Sequence, residues 1–487
     1  MIIAITFDKI NQWRDYHYYK KRTIIMKIII IGDGKVGNKL ARQLSEQDYD
    51  VVVIDNNVST LRKSIDDLDI NCVEGNGASS EILAEAGVSE SDLVIACTST
   101  DELNMLSCLI ARKLGAKQTI ARVRNPLYFQ QMDLIKEDLG LSMSVNPDFS
   151  LSEEIVRILI FPAAIKLETF VKGRVELVEL KIEEEGKLSG LSLIQVYKKY
   201  QIKILVCAVQ RDNEVYIPDG SFVLAPGDKI HVAASRQEIK SFFKIIGKYR
   251  DKVKTVMICG GSKSAYYLSR NLLSIGMDVK IIEKNKERCY ELSDMLPKAR
   301  IIHGDAADHE LLIEEGLDKV DAFLALTGMD EENIIMSIYA KTFQVPKIIT
   351  KVNNDALLNM AEQLGLDCVI SPKNIIANTI TSYVRAMQNS YSSSNVQTLY
   401  RLIDDRVEAL EFIIREHMDF ENIPLKSLKV RENTLIACIV RKRRIIIPGG
   451  NDVMKVGDSI IVITKNQRIN KLSDILAPGQ QEFNYEL

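Results

Sequence analysis

The stretch KIIIIGDGKVG, residues 27–37, decides the fold. Its first five residues form an apolar run of strand length, which opens directly into Gly32-Asp33-Gly34-Lys35-Val36-Gly37. A helical pattern follows over Lys35–Gln47. A second strand, DVVVI (50–54), then ends on the carboxylate of Asp55, 18 residues beyond Gly37. A GxGxxG alone is weak evidence. Strand, glycine turn, helix, strand and terminal acid in this order meet the full requirement for a dinucleotide-binding turn. Gly32 permits the tight turn, Gly34 lets a pyrophosphate approach the backbone, and Gly37 lets helix and strand pack closely. The helix start offers unpaired N–H groups and partial positive charge to phosphates. Asp55 is suited to accept both hydroxyls of an adenosine ribose and to repel a 2′-phosphate, which favours NAD(H) over NADP(H).

Further strands follow at INCV (70–73), LVIAC (93–97) and QTIAR (118–122), with a helix over Glu102–Leu114. Short apolar strands alternating with helices predict an α/β, doubly wound parallel sheet. Thr98 and Ser99 follow the fourth strand at its carboxyl end, where ligands sit in such sheets. Arg122 ends the fifth strand and can reach a phosphate, with Arg124 competing for that role. Asp101 and Asn104 begin a helix and are expected to cap it.

The chain is one unit written twice. Asp55 and Glu283, Thr98 and Thr327, and Pro218 and Pro448 stand 228 to 230 residues apart, across strands, loops and turns alike. Each copy pairs a parallel-sheet domain with a small α+β module of short strands. Expected boundaries are an extension at 1–25, a first nucleotide-binding domain at 26–148, a first small domain at 165–248, a second nucleotide-binding domain at 253–373 and a second small domain at 398–478. The offset drifts from 225 at Pro147/Pro372 to 232 at Arg174/Arg406, so copy two is longer at that joint, which suits an exposed connection. The extension reads as an upstream start codon chosen in error or a poorly ordered tail. In copy two the glycine turn is Gly260-Gly261-Ser262-Lys263-Ser264-Ala265, and Arg122 aligns with Lys351, while Glu283 and Thr327 are retained. The side chain at Ser262 narrows phosphate access. This pocket should bind more weakly, bind another ligand or stay empty.

Composition narrows the function. Net charge is −3, from 63 basic and 66 acidic residues, so the whole chain has no electrostatic reason to bind nucleic acid. Eight cysteines without CxxC spacing read as buried thiols, and five histidines without metal-ligand spacing argue against a metal site. No run of eighteen apolar residues occurs, so any membrane role must come through a partner.

The ordered set GDGKVG, Asp55, EGNGASSEILAEAG (74–87), LVIACTSTDELN (93–104) and TIARVR (119–124) resembles the RCK (KTN) domain that regulates potassium conductance. The modules with the IPDG and PGD turns resemble its C-terminal partner domain. Two such pairs over residues 26–476 resemble the TrkA family, the peripheral regulatory subunits of Trk-type potassium uptake systems. The resemblance implies tandem Rossmann-like domains in a cytoplasmic, non-catalytic subunit. That subunit would lie on the inner face of the membrane, in a homo-oligomeric ring beneath a separate potassium-transporting membrane protein that it gates. It implies NAD(H), with ATP or ADP also possible at the same site. By carry-over, Gly32 to Val36, Asp55, Thr98, Ser99 and Arg122 form the first site, and Gly260, Gly261, Ser262, Glu283 and Thr327 a second in which Ser262 and Ala265 stand in place of glycines.

Two other functions compete. An NAD-dependent oxidoreductase needs a general acid or base and a substrate-enclosing domain. The chain instead repeats its unit, and His231, His303 and His309 read as strand-end and loop residues. A redox-sensing regulator of transcription needs a basic DNA-reading element. The only dense basic run, Arg441-Lys442-Arg443-Arg444, lies between two strands and reads as a solvated hairpin tip.

Overall fold

The computed structural model describes residues 26–160, 165–170, 175–212, 214–247, 253–391, 396–403, 406–442, 444–466, 469 and 471–477. The expectation for residues 1–25 lies outside them. The chain divides at Asn146/Pro147 into two compact units.

The first unit holds strands β1 (Lys27–Ile31), β2 (Asp50–Asp55), β3 (Asn71–Glu74), β4 (Leu93–Ala96), β5 (Thr119–Arg122) and β6 (Met143–Val145). They form one sheet of order β3-β2-β1-β4-β5-β6, parallel throughout. Ile28 to Ile31 are buried on both faces, as a central strand sandwiched by helices must be. Strand order reverses beside β1, so a crevice opens at the carboxyl ends of β1 and β4. The sixth strand was not foreseen, because three residues at a sheet edge carry no readable periodicity.

The second unit begins with helix Pro147–Ile160. Strands β7 (Lys166–Phe170), β8 (Val175–Lys181), β9 (Leu205–Arg211), β10 (Glu214–Tyr216) and β11 (Lys229–Ser235) make an antiparallel sheet of order β10-β9-β11-β8-β7. A second parallel sheet follows: β12 (Thr255–Cys259), β13 (Asp278–Glu283), β14 (Arg300–His303), β15 (Ala322–Ala325), β16 (Lys347–Lys351) and β17 (Val369–Ile370), in order β14-β13-β12-β15-β16-β17. Strands β18 (Val396–Leu402), β19 (Val407–Ile413), β20 (Thr434–Arg441), β21 (Arg444–Ile446) and β22 (Ser459–Thr464) complete a second antiparallel sheet.

Helix Pro147–Ile160 packs Leu151, Ile155, Ile158 and Leu159 against Leu268 and Leu272 of helix Lys263–Ser274, in the core of the second parallel-sheet domain. The two antiparallel sheets share a core in which Cys207, Ala208 and Ala233 meet Ala409, Ala437 and Cys438. The small modules have diverged. Helix Leu193–Tyr200, closed by a capping box between Ser192 and Gln195, has only the 3-10 turn Leu425–Ser427 as its counterpart.

Three expectations need correction. The longer joint of copy two is largely helix rather than loop: Pro372–Tyr391 runs for 20 residues where Pro147–Ile160 runs for 14. His231 is no strand-end residue. It sits within β11, buried, opposite Glu179. The hairpin Arg441–Arg444 is present, but Arg441 is folded into the structure. Its guanidinium forks onto the buried Asp458 at 2.8 and 2.7 Å, as Arg211 does onto Asp228 at 2.8 Å. Arg443 lies outside the described residues.

Candidate functional site

In the first unit the chain leaves β1 at Gly32 with φ +101°, a left-handed conformation that glycine adopts without strain. A Cβ there would lie 2.9 Å from the Thr98 amide nitrogen. The Gly32 amide donates to the Ile54 carbonyl at 2.8 Å, tying the turn to β2. Gly34 is the N-cap of helix Lys35–Ser45 and supplies no side-chain cap. The amides of that first turn have no intrahelical partners and need an outside acceptor. A Cβ on Gly34 would meet nothing within 4 Å, whereas one on Gly37 would stand 1.8 Å from the Gly32 carbonyl oxygen. One glycine keeps the approach open; the other lets the helix sit against the turn.

Gly32, Gly34, Lys35, Val36, Asp55, Thr98, Ser99 and Arg122 line one cavity of about 430 Å³. The Asp55 carboxylate is held by two backbone donors, the Asp33 amide at 2.6 Å and the Asn57 amide at 2.8 Å. Arg122 donates through Nη2 to the Thr98 carbonyl, which fixes its guanidinium across the ends of β4 and β5. Arg124 is not among the lining residues.

Two predicted residues stand apart from the cavity lining. Gly37 serves the packing just described. Asp33 turns its carboxylate inward, where it is 2% exposed and accepts from Ser64 Oγ at 2.6 Å; Ser64 in turn accepts from Asn38 Nδ2 at 2.8 Å. Burial raises the Asp33 pKa above the ordinary carboxyl value, opposed by these hydrogen bonds and helped by the nearby Asp55. Of the motif's middle residue, the amide therefore serves the site, and the side chain does not.

Asp101 and Asn104 do not cap their helix. Asp101 accepts from the Arg124 and Asn125 amides at 2.9 and 2.6 Å. Asn104, fully buried, accepts from the Thr98 amide at 2.7 Å and donates to the Arg122 carbonyl at 2.9 Å. Both cross-link the loop ends that carry the cavity's far wall. Gly75, Asn76, Gly77, Cys97 and Leu103 also line the cavity and were not foreseen as site residues. For Gly75, Asn76 and Gly77 the signal was the GNG run after the third strand. A Cβ on Gly77 would press to 2.1 Å from Ile31 Cγ2, so only glycine lets this loop lie over the end of β1. Burial pushes the Cys97 thiol up to about 12, which leaves it uncharged and unreactive at neutral pH.

The second copy keeps the frame. Gly260 has φ +98°, and Glu283 accepts from the Gly261 and Asn285 amides, each at 2.6 Å. Asn333 holds the Thr327 amide at 2.9 Å and donates to the Lys351 carbonyl at 3.0 Å, repeating the role of Asn104. The helix start differs. Ser262 is the N-cap, and its hydroxyl accepts from the Ala265 amide at 3.4 Å. Ser264 donates to the buried Asp148 of helix Pro147–Ile160, and Phe149 packs edge-on against Tyr267 with ring centroids 5.6 Å apart. The first turn that is uncapped in copy one is capped and covered in copy two.

Residues 28–147 and 256–372 match the model of the TrkA-N domain, and 177–247 and 409–477 that of the TrkA-C domain. A Trk system potassium uptake protein TrkA homolog of Archaeoglobus fulgidus is 32% identical over 452 residues, covering 92% of this chain and 100% of that protein. The Trk system potassium uptake protein TrkA of Halomonas elongata is 31% identical over 446 residues, covering 91% and 96%. Among solved structures, the GsuK RCK domain superposes with a TM-score of 0.60 at 17% identity, covering 91% of this chain and 93% of that one. The GsuK channel bound to NAD does so with a TM-score of 0.60 at 17% identity, over 93% and 80%. At that identity the likeness establishes the shared fold and nothing more.

Proposed function

The chain belongs to the TrkA family, and from that premise we propose that it is a nucleotide-sensing regulatory subunit that gates a separate potassium-transporting membrane protein. One observation carries the reading: in the first copy alone, an uncapped helix start at Gly34 and a bracketed carboxylate at Asp55 face one cavity. The residues fit a nucleotide. The amides of Lys35 and Val36 would take the diphosphate, exposed Lys35 would add positive charge, and Asp55 would take the adenosine ribose. NAD(H) fits this set best, and ATP or ADP would use the same contacts.

Gating would work by linkage: a nucleotide shifts the assembly only by the difference in its affinity for two conformations. Gly32, Gly34, Lys35, Val36, Asp55, Thr98, Ser99 and Arg122 form the sensing pocket in this reading. The backbone of Asp33 and the packing of Gly37 support it. Gly260, Gly261, Ser262, Glu283 and Thr327 make a pocket that is mainly structural. The subunit would act at the inner face of the cell membrane through its partner, in a ring of like domains. Among the described residues, no helix is long and apolar enough to cross a membrane.

An oxidoreductase is the weaker reading, since the residues lining the cavity include no histidine or tyrosine to serve as acid or base. Co-purification with a multi-span membrane protein, followed by nucleotide titration of potassium flux, tests the proposal. Flux that ignores every adenine nucleotide defeats it, and sustained turnover of hydroxy acids with NAD would favour the enzyme.

A further inference from the structure

Asn104 lies behind the cavity wall, on helix Asp101–Lys113, and is fully buried. Its side-chain amide is shared between the ends of β4 and β5. Oδ1 accepts from the Thr98 amide and from Thr98 Oγ1, each at 2.7 Å. Nδ2 donates to the Arg122 carbonyl at 2.9 Å and to the Thr98 carbonyl at 3.3 Å. Two main-chain carbonyls on one side and a main-chain N–H on the other admit only this orientation of the amide. The Thr98 carbonyl also accepts from Arg122 Nη2. Asn104 thus holds Arg122 at both ends: its main chain directly, and its guanidinium through a carbonyl that both side chains touch. A free arginine side chain loses much rotamer entropy when it meets a ligand, and one already fixed loses less.

The second copy separates this task from folding. Asn333, also fully buried, accepts from the Thr327 amide at 2.9 Å and from Thr327 Oγ1 at 2.8 Å. It donates to the Lys351 carbonyl at 3.0 Å and to the Thr327 carbonyl at 3.3 Å. The main-chain frame is therefore the same in both copies. The cation on it is not: Lys351 is 8% exposed, and its ammonium donates to the Leu326 carbonyl at 3.1 Å, one residue before Thr327. Whatever Asn104 and Asn333 share is architecture. What Asn104 alone does is to set a guanidinium on the carbonyl of a residue that lines the cavity.

We propose that Asn104 is a positioning residue of the first pocket, one that lines no cavity itself and presents the Arg122 guanidinium to a ligand phosphate. The inference rests on the reading of that pocket as a nucleotide site.

The test measures NADH affinity by calorimetry and thermal unfolding without ligand, both on the full chain. Asn104→Ala should weaken NADH binding about tenfold, the effect of misplacing one charge-assisted hydrogen bond, while Asn333→Ala changes it less than about twofold. Both variants should lose comparable thermal stability, since each breaks the same four hydrogen bonds. Arg122→Met should weaken binding too, and adding Asn104→Ala to it should cost less than about twofold more, because the residue acts through the arginine. Should Asn104→Ala fail to fold, Asn104→Ser provides the same comparisons. Unchanged affinity in the Asn104 variant, equal losses from Asn104→Ala and Asn333→Ala, or losses that multiply in the double variant would overturn the proposal. A parent chain that binds no nucleotide would instead defeat the reading of the pocket, and this inference with it.

Discussion

Replacing Gly34 by valine separates the cost of folding from the cost of binding. At φ −77° and ψ −170° the residue already occupies a region open to any L-amino acid, and the space around its Cβ position is clear to 4 Å. Valine is a poorer N-cap than glycine, a penalty of about 1 kcal/mol or less for the free protein. With a diphosphate present, the same methyl groups fill the space through which its oxygens reach the first-turn amides. Losing one or two charge-assisted hydrogen bonds, at about 1.5–3 kcal/mol each, lowers affinity by roughly 10-fold to well over 1,000-fold. Calorimetric titration with NADH, run beside thermal unfolding of the ligand-free variant, reads both quantities. Unchanged affinity would refute the reasoning, and so would a loss of affinity accompanied by a large loss of stability. Gly37→Ala provides the contrast: with its Cβ 1.8 Å from a carbonyl oxygen, it should destabilise the free protein before any ligand is added.

The asymmetry of the copies predicts one nucleotide per chain. Asp55→Ala should weaken NADH binding strongly in calorimetry while Glu283→Ala changes it less than about twofold, and equal losses would contradict the asymmetry. Arg441→Met should lower stability by about 3 kcal/mol in urea unfolding because it strands the buried Asp458, whereas Lys442→Ser should stay within about 0.5 kcal/mol; equal effects would return the basic run to the status of a mere surface tip. Asp33 has a raised pKa in the folded protein, so its stabilising contribution is complete below the unfolded carboxyl value of about 3.9 and is lost as pH rises through the folded value. Asp33→Asn should therefore be more stable than the parent at pH 7, by about 1 kcal/mol, with the gap closing toward pH 4; a gap independent of pH in unfolding experiments would show that the carboxyl does not titrate in this way.

The parallel sheets were legible because fully buried strands read as unbroken apolar runs, and the glycine turn because each of its positions answers a separate backbone demand. The short edge strands at Met143–Val145 and Val369–Ile370 left no such trace. Side-chain direction was harder to read. The GDG letters place the Asp33 amide, but nothing in them says that its carboxylate turns toward Ser64, 31 residues away. Asp101 and Asn104 stand where capping residues stand, and local rules assign them that role. Their actual partners lie across the sheet at Arg122, Arg124 and Asn125, beyond the reach of a local pattern. Ser262 was legible as a departure from glycine. The covering of its helix by Asp148 and Phe149 depends on a helix more than a hundred residues upstream in the chain.

A structure of the full chain with NAD(H) bound tests the central claim most directly. The account predicts the diphosphate within hydrogen-bonding distance of the Lys35 and Val36 amides, the adenosine ribose on Asp55, and no nucleotide at Ser262. A nucleotide seated at the second copy, or one bound to the first without touching Asp55 or the helix start, would contradict it.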